Sequence, residues 1–161
     1  MLMRSIAVAA VIAALVSTAP DVSRRSAPTF YVAVQAERCE SNSVQANGVS
    51  NLPEGAFITV VVTEFEGDGW RNISDENRVQ VGSDGFFHIT VQPRSGQRIP
   101  TSSLLRAYFA PYSPKQSSEV LRITGDKGQR LGGLSNPQVF QVSGPNYGIE
   151  TLARITGCPS A

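Results

Sequence analysis

The stretch AFITVVVTEF, residues 56–65, decides the fold class of this chain. β-Branched residues run without interruption from Ile58 to Thr63, and such side chains favour strands because they pack well on a pleated surface. A Pro-Glu-Gly turn signal at 53–55 stands directly before the stretch. This is the most strongly predicted strand of the chain, and similar signals recur on both sides of it.

Strand patterns precede and follow this stretch, with turn-forming residues between them. Upstream, TFYVAVQA at 29–36 has a period of two, which predicts a half-buried strand with Phe30 and Val32 on its buried side. Asn47-Gly48 is predicted as a turn, and the Asp-Gly pair at 84–85 predicts a hairpin between two strands. Four further strands are predicted from the patterns SLLRAYFAPYS (103–113), SEVLRITG (118–125), QVFQVSG (138–144) and YGIETLARI (147–155).

About eight short strands result, and beyond the N-terminus no segment has the apolar repeat that is typical of a helix. Antiparallel sheets that pack face to face bury alternating strands of this kind. We therefore predict an all-β chain whose residues 29–161 form a single antiparallel β-sandwich, immunoglobulin-like or transthyretin-like. A closed barrel of strands is the alternative.

Three segments together resemble a class of bacterial extracytoplasmic β-sandwich domains. They are GVSNLPEGAFITVVV (48–62), SDGFF (83–87) and YFAPYSPKQSSEVLRITGDKGQRLGG (108–133). The resemblance is to transthyretin-like or immunoglobulin-like modules and covers most of residues 43–133. It implies a β-sandwich that works outside the cytoplasm, and it implies no shared catalytic residues.

Residues 1–19, MLMRSIAVAAVIAALVSTA, differ from the rest of the chain. One basic residue, Arg4, precedes an apolar run that ends in small residues, as in a secretory signal peptide. The run is short for a membrane span, which needs about 20 apolar residues, so a cleaved signal is favoured over an uncleaved signal anchor. We predict that residues 20–28 are a linker. The chain is then extracytoplasmic, as a periplasmic or secreted protein or one anchored by this N-terminal helix.

Two cysteines are present, Cys39 after the first predicted strand and Cys158 after the last. Exported proteins meet an oxidising compartment, in which two cysteines usually pair. We predict a disulfide between Cys39 and Cys158 that holds the two ends of the domain together. Because the chain has no Cys-x-x-Cys motif and one histidine, neither redox nor metal chemistry is predicted for the pair. Two free thiols or an intermolecular bridge are the alternatives.

Composition and charge exclude several classes of function. The chain has 41% hydrophobic and 17% charged residues, as globular proteins have, and its net charge is +1. Such a balance provides no basic surface for nucleic acid. The single histidine, His88, falls inside the strand pattern FFHITV, and no Gly-x-Ser-x-Gly motif occurs. We predict no catalytic residues, no metal site and no cofactor.

The polar segment at 66–77 is the predicted binding surface. It is expected to be a loop, and loops on a rigid β scaffold often carry function. The only tryptophan of the chain, Trp70, stands there beside Arg71, and both residue types are enriched in interface hot spots. We predict that Trp70, Arg71, Glu66 and Asp68 contact a partner, with a tryptophan folded back over the core as the alternative. The carboxylates in this segment and just before it are Glu64, Glu66, Asp68, Asp75 and Glu76.

These patterns favour a non-catalytic exported module that acts as a structural, adhesive or accessory subunit. Its predicted partner is another protein, such as a subunit of a membrane-associated complex. The membrane itself is contacted only through the N-terminal segment, if that segment stays uncleaved. The alternative is a carrier of calcium or a small ligand, or an enzyme, that uses the carboxylates between Glu64 and Glu76.

Overall fold

A computed structural model describes residues 29–40, 42–113, 115–132, 136–155 and 157, and the predicted signal segment at 1–19 and linker at 20–28 lie outside this part. The chain is mostly β-strand, arranged in antiparallel sheets, so the all-β prediction is confirmed. No helix within these residues is long and apolar enough to span a membrane. The strands are β1 (Val32–Glu40), β2 (Ser43–Ser50), β3 (Phe57–Glu66), β4 (Gly69–Asn72), β5 (Asn77–Gln80), β6 (Phe86–Val91), β7 (Leu104–Phe109), β8 (Val139–Ser143) and β9 (Asn146–Arg154).

The strands form two sheets that share one hydrophobic core. The smaller sheet has the order β1-β2-β6, and the larger has the order β4-β3-β7-β9-β8, with β5 also paired to β3. Within each sheet all paired strands are antiparallel. A single cluster of buried apolar side chains draws residues from both sheets.

The most strongly predicted strand forms as β3 and contributes to this core. β3 is the one strand that pairs on one side with β7 and on the other with both β4 and β5. Its residues Ile58, Val60 and Val62 are fully buried in the shared core. The upstream alternation is confirmed too, because Phe30 and Val32 are buried on the core side of β1.

The segment SEVLRITG (118–125) forms a helix, and the predicted strand there is wrong. Helix α1 (Ser118–Thr124) begins at an N-cap, Ser117, whose hydroxyl accepts a hydrogen bond from the Val120 N–H at 3.3 Å. It ends at Gly125, whose φ of 82° suits a glycine. Three β-branched residues favoured a strand, but the caps and the tertiary burial of Val120 and Thr124 outweigh that local preference.

Asn47-Gly48 lies in the middle of β2, so the turn predicted there is also wrong. Gly48 pairs with Phe87 of the neighbouring strand β6. A Cβ atom at Gly48 would lie 1.9 Å from the Phe87 Cζ atom. The glycine is therefore needed for the close approach of a buried aromatic ring and not for a turn.

The Asp-Gly turn at 84–85 forms as predicted but does not join paired strands. The Gly85 N–H donates to the Gly82 oxygen at 3.0 Å, and Gly85 has a φ of 80°. The strand before this turn, β5, pairs with β3, while the strand after it, β6, pairs with β2. The turn thus carries the chain from the larger sheet to the smaller one.

Candidate functional site

The predicted loop at 66–77 belongs to a β-hairpin with an interrupted second strand. Glu66 pairs with Gly69 across a two-residue turn, Gly67-Asp68, and Gly67 has a φ of 60°. Two-residue hairpin turns require such left-handed backbone, which glycine adopts without strain. The Gly-Asp-Gly sequence at 67–69 is therefore a hairpin signal. It was missed because the charged residues around it favour a loop.

Trp70 lies on this hairpin as an exposed member of an aromatic pair. It stands directly opposite Phe65 in the β3–β4 register. The two ring centroids are 5.2 Å apart with planes inclined at 73°, an edge-to-face contact. Trp70 is 48% exposed and Phe65 61% exposed, so the alternative in which Trp70 folds back over the core is not what the structure shows.

Phe65 was missed by the sequence argument. Its position opposite Trp70 follows only once Gly67-Asp68 is identified as a two-residue turn, because that turn fixes the cross-strand register. Two adjacent exposed aromatic rings form an apolar patch at the end of the larger sheet. We call Phe65 and Trp70 the aromatic pair.

Arg71 points to the other face of the hairpin and binds two carboxylates. Its Nη2 lies 3.0 Å from Glu64 Oε2, and its Nε lies 2.5 Å from Glu66 Oε2. The hydroxyl of Ser102 donates to the other oxygen of Glu64 at 3.0 Å. Exposed ion pairs contribute little to stability, so this cluster mainly orients the hairpin's polar face.

The predicted residues therefore divide between two faces of one hairpin. Trp70 lies on one face, and Arg71 and Glu66 lie together on the other, because side chains alternate along β3 and β4. Asp68 is exposed in the turn between the strands. A partner that contacts all four predicted residues therefore has to bind both faces of the hairpin and its turn.

A bulge after β4 anchors the hairpin to the core. Residue Ile73 is 2% exposed, and its N–H donates to the Val62 oxygen at 2.8 Å. The next residue, Ser74, is fully buried, and its hydroxyl accepts the Val62 N–H at 2.9 Å, where a strand would use a backbone carbonyl. The Arg94 N–H then donates to the Ile73 oxygen at 2.9 Å, which links the bulge to the segment after β6.

Tyr108 of β7 connects the centre of the sheet to Glu76, two residues after the bulge. Burial, followed by a hydrogen bond with Glu76, raises the pKa of Tyr108 to about 12, while a hydrogen bond with Thr59 and the charge of Arg106 act in the opposite direction. The guanidinium carbon of Arg106 lies 4.9 Å from the centre of the Tyr108 ring. Tyr108 therefore interacts with side chains from β3, from β7 and from the segment after the bulge.

The carboxylates of the hairpin do not converge on a metal site. Glu64 and Glu66 bind Arg71, and Asp75 binds Arg94 at 2.9 Å. Within the described part of the chain, no group of three or more histidine, cysteine or acidic side chains lies close enough to hold a metal ion. His88 is exposed on β6, where its Nδ1 contacts the Asn47 side-chain oxygen.

A cleft of about 620 Å³ opens between β1 and β9, away from the hairpin. Its described lining contains two charged residues, Glu37 and Arg154, and none from β3 or β4. It does not involve the aromatic pair or the carboxylates of the predicted site. The described residues that line it are Val34, Gln35, Ala36, Glu37, Ala153, Arg154 and Gly157.

Comparison with protein-family models, with curated proteins and with solved structures finds no match for this chain. Its function therefore has to be argued from its own residues. The feature that most invites a functional explanation is the exposed aromatic pair on a hairpin whose base is fixed in the core.

Proposed function

We propose that the chain is a non-catalytic, exported β-sandwich module that binds another protein through its β3–β4 hairpin. The observation that carries the proposal is the aromatic pair, Phe65 and Trp70, which is exposed although it could contribute large apolar area to a core. Exposed aromatic anchors beside an arginine are typical of interface hot spots. An accessory or adhesive subunit needs such a surface, and it needs no catalytic group.

The rigid base of the hairpin supports this proposal. Binding costs less conformational entropy when the contacting side chains are already held in place. The Ile73–Ser74 bulge fixes one strand of the hairpin, and β3 itself is buried from Ile58 to Thr63. The aromatic pair is thus carried by two paired strands, of which β3 is anchored by burial and β4 by the bulge that follows it.

The sandwich class and the export of the chain belong to the same proposal. Two antiparallel sheets with one shared core support a β-sandwich of immunoglobulin-like or transthyretin-like type. Export is supported by the apolar segment at 1–19, which lies outside the described residues. An extracytoplasmic partner, such as a subunit of a membrane-associated complex, is the kind that such a module would meet.

The proposed disulfide would close the domain at its two ends. Cys158 and the side chain of Cys39 lie outside the described residues. Their pairing is supported by a parallel β-bridge between Ala36 and Ile155, because each cysteine stands three residues after its member of that bridge. Two segments that continued side by side from there would bring the cysteines to nearly the same level.

We expect thiol titration of the unfolded, unreduced protein to find no free thiol. Reduction should lower the free energy of unfolding by about 4–5 kcal/mol at most, because a loop of about 120 residues is released in the unfolded state. A double variant, Cys39→Ser with Cys158→Ser, should show the same loss with or without reductant. Two titratable thiols in the oxidised protein would contradict the disulfide.

Affinity capture from native cell envelopes, with a matched control variant, tests the proposed function. We expect a stoichiometric protein partner to bind the wild-type chain and the Phe86→Ala variant, and to be lost from the Trp70→Ala variant. Phe86 is a fair control because it is 61% exposed but lies on β6, in the other sheet. A partner lost equally from both variants, or from neither, would contradict binding through the hairpin.

A further inference from the structure

The aromatic pair lies on the outer face of the larger sheet, which is the face that points away from the shared core. Side chains alternate along β3, so Phe65 lies on the same face as Thr63 and on the opposite face from the core residue Val62. Trp70 is directly opposite Phe65 in the β3–β4 register and shares this face. The proposed contact site is therefore continuous with the face of a sheet.

Two leucines extend the apolar surface of the aromatic pair across this outer face. Leu104 of β7 pairs with Thr63, so it lies on the neighbouring strand one diagonal step from Phe65. Leu152 of β9 pairs with Arg106, and it therefore lies one further diagonal step from Leu104. Leu104 is half-buried and Leu152 is 45% exposed, and neither belongs to the shared core.

We call Trp70, Phe65, Leu104 and Leu152 the apolar stripe. It crosses the adjacent strands β4, β3, β7 and β9. Neighbouring residues on paired strands are about 5 Å apart and diagonal neighbours about 7–8 Å apart, which makes the stripe about 20 Å long. Contiguous exposed apolar side chains mark interaction sites, and an open face of this length suits a protein surface better than a small ligand, which is usually held in a cleft.

An arginine without an ion-pair partner borders the apolar stripe. Arg154 pairs with Leu104 and follows Leu152 by two residues, so it lies next to both leucines. It is exposed at the margin of the cleft beside β1, and it forms no ion pair with any described residue. Glu150, on the same face of β9, is already bound to Arg106 at 2.6 Å. A partner that covers the stripe therefore gains by placing a carboxylate opposite Arg154.

We propose that the partner bound by the aromatic pair covers the whole apolar stripe, with apolar side chains over Leu104 and Leu152 and a carboxylate opposite Arg154. The proposal rests on the proposed function, because it names the chemistry of the partner that the hairpin binds. A partner that contacts Phe65 from this face already lies beside Leu104, so the two surfaces are continuous. The leucines add buried apolar area, and the arginine fixes the orientation of the partner.

Truncation of Leu152 tests the apolar part of this surface. The probe is the partner captured from native cell envelopes, purified and titrated against the full chain. Leu152→Ala should raise the Kd by about fivefold or more, because it removes a contact far from the hairpin. Val142→Ala is the matched control, since Val142 is 51% exposed but lies on β8, outside the stripe. It should leave the Kd within about twofold, and circular dichroism checks that both variants are folded.

Charge reversal at Arg154 tests the predicted carboxylate of the partner. Arg154→Glu should raise the Kd by about tenfold or more at low ionic strength, and by less at high salt, because it places like charges opposite each other. Arg78→Glu makes the same change in net charge on the same face. Arg78 is exposed and pairs with Thr59, away from the stripe, so its reversal should change the Kd by less than about threefold.

The outcomes separate this proposal from the proposed function. If Trp70→Ala weakens binding but either Leu152→Ala or Arg154→Glu matches its control, the hairpin binds the partner and the stripe proposal is overturned. If Trp70→Ala leaves binding unchanged, or if no partner is captured, the proposed function and the stripe proposal are both overturned.

Discussion

The two edges of the larger sheet both contain a bulge but differ in charge. At one edge, the Ile73–Ser74 bulge separates β4 from β5. Two ion pairs lie beside it, Arg71 with Glu64 and Asp75 with Arg94. At the other edge, β8 carries no charge. The first edge displays an aromatic pair on a hairpin, while the second displays uncharged side chains such as Val142.

Charged residues on an edge strand discourage the addition of another strand, so the proposed partner would contact the first edge through side chains such as Trp70. Strand β8, at the second edge, contains no charged residue and offers no exposed aromatic pair as an anchor. The predictions below ask whether the two edges differ in stability and chemistry as their structures indicate.

The largest expected difference is between Ile73→Ala and Val142→Ala. Ile73 is 2% exposed and belongs to the core, so its truncation should lower the free energy of unfolding by about 2–5 kcal/mol. Val142 is 51% exposed, and its truncation should change stability by less than about 0.5 kcal/mol. Denaturant unfolding of both variants measures their free energies of unfolding. Equal losses would contradict the view that the Ile73–Ser74 edge is anchored in the core and the β8 edge is not.

A smaller effect is expected from Ser74→Ala, which removes one acceptor and little volume. The buried N–H of Val62 then loses its partner, which should cost about 1–3 kcal/mol. Ser102→Ala, which removes an exposed hydroxyl bound to Glu64, is the control and should cost under about 0.5 kcal/mol. Equal losses of stability in the Ser74→Ala and Ser102→Ala variants would show that the bulge does not anchor the hairpin.

Alkaline pH should weaken the contacts that Tyr108 makes with Glu76 and Thr59. This is the smallest of the three expected effects on stability. The pKa of Tyr108 is raised to about 12 from 10.0, chiefly by burial. The folded chain thus keeps a proton that the unfolded chain loses, so stability holds below pH 10 and falls as pH rises toward 12.

Tyrosinate absorbance during an alkaline titration checks this expectation. One of the four tyrosines should titrate last, and Tyr108→Phe should remove that last step together with its part of the stability loss. An unchanged titration curve for Tyr108→Phe would contradict the assignment of the raised pKa to this residue.

Local patterns in the sequence were enough to predict the all-β class and most strands. The β-branched run at 58–63 and the alternation at 29–36 both proved to be strands, because burial and local preference agree there. The errors fell where tertiary contacts decide. A glycine is needed at residue 48 because the Phe87 ring of another strand packs against it. Helix α1 is stabilised by its caps and by burial, and its β-branched residues indicate neither.

The candidate site was predicted in composition but not in geometry. Trp70 and Arg71 were identified, yet their placement on opposite faces of a hairpin depends on the Gly67-Asp68 turn. Phe65 was assigned only to a strand, and its exposure follows from β3 extending beyond the core. The interruption at Ile73 and Ser74 had no local signal, since its cause is a hydrogen bond to β3.

The most direct test of the account is the Trp70→Ala variant, measured both for unfolding free energy and for binding to the partner captured from the envelope. The exposed aromatic pair predicts a loss of about 2 kcal/mol in binding, or about 30-fold in Kd, because Trp70 is a contact residue. Stability should change by less than about 0.5 kcal/mol, because Trp70 is outside the core. An unchanged Kd with a stability loss of about 3–5 kcal/mol would contradict the account and make Trp70 a core residue.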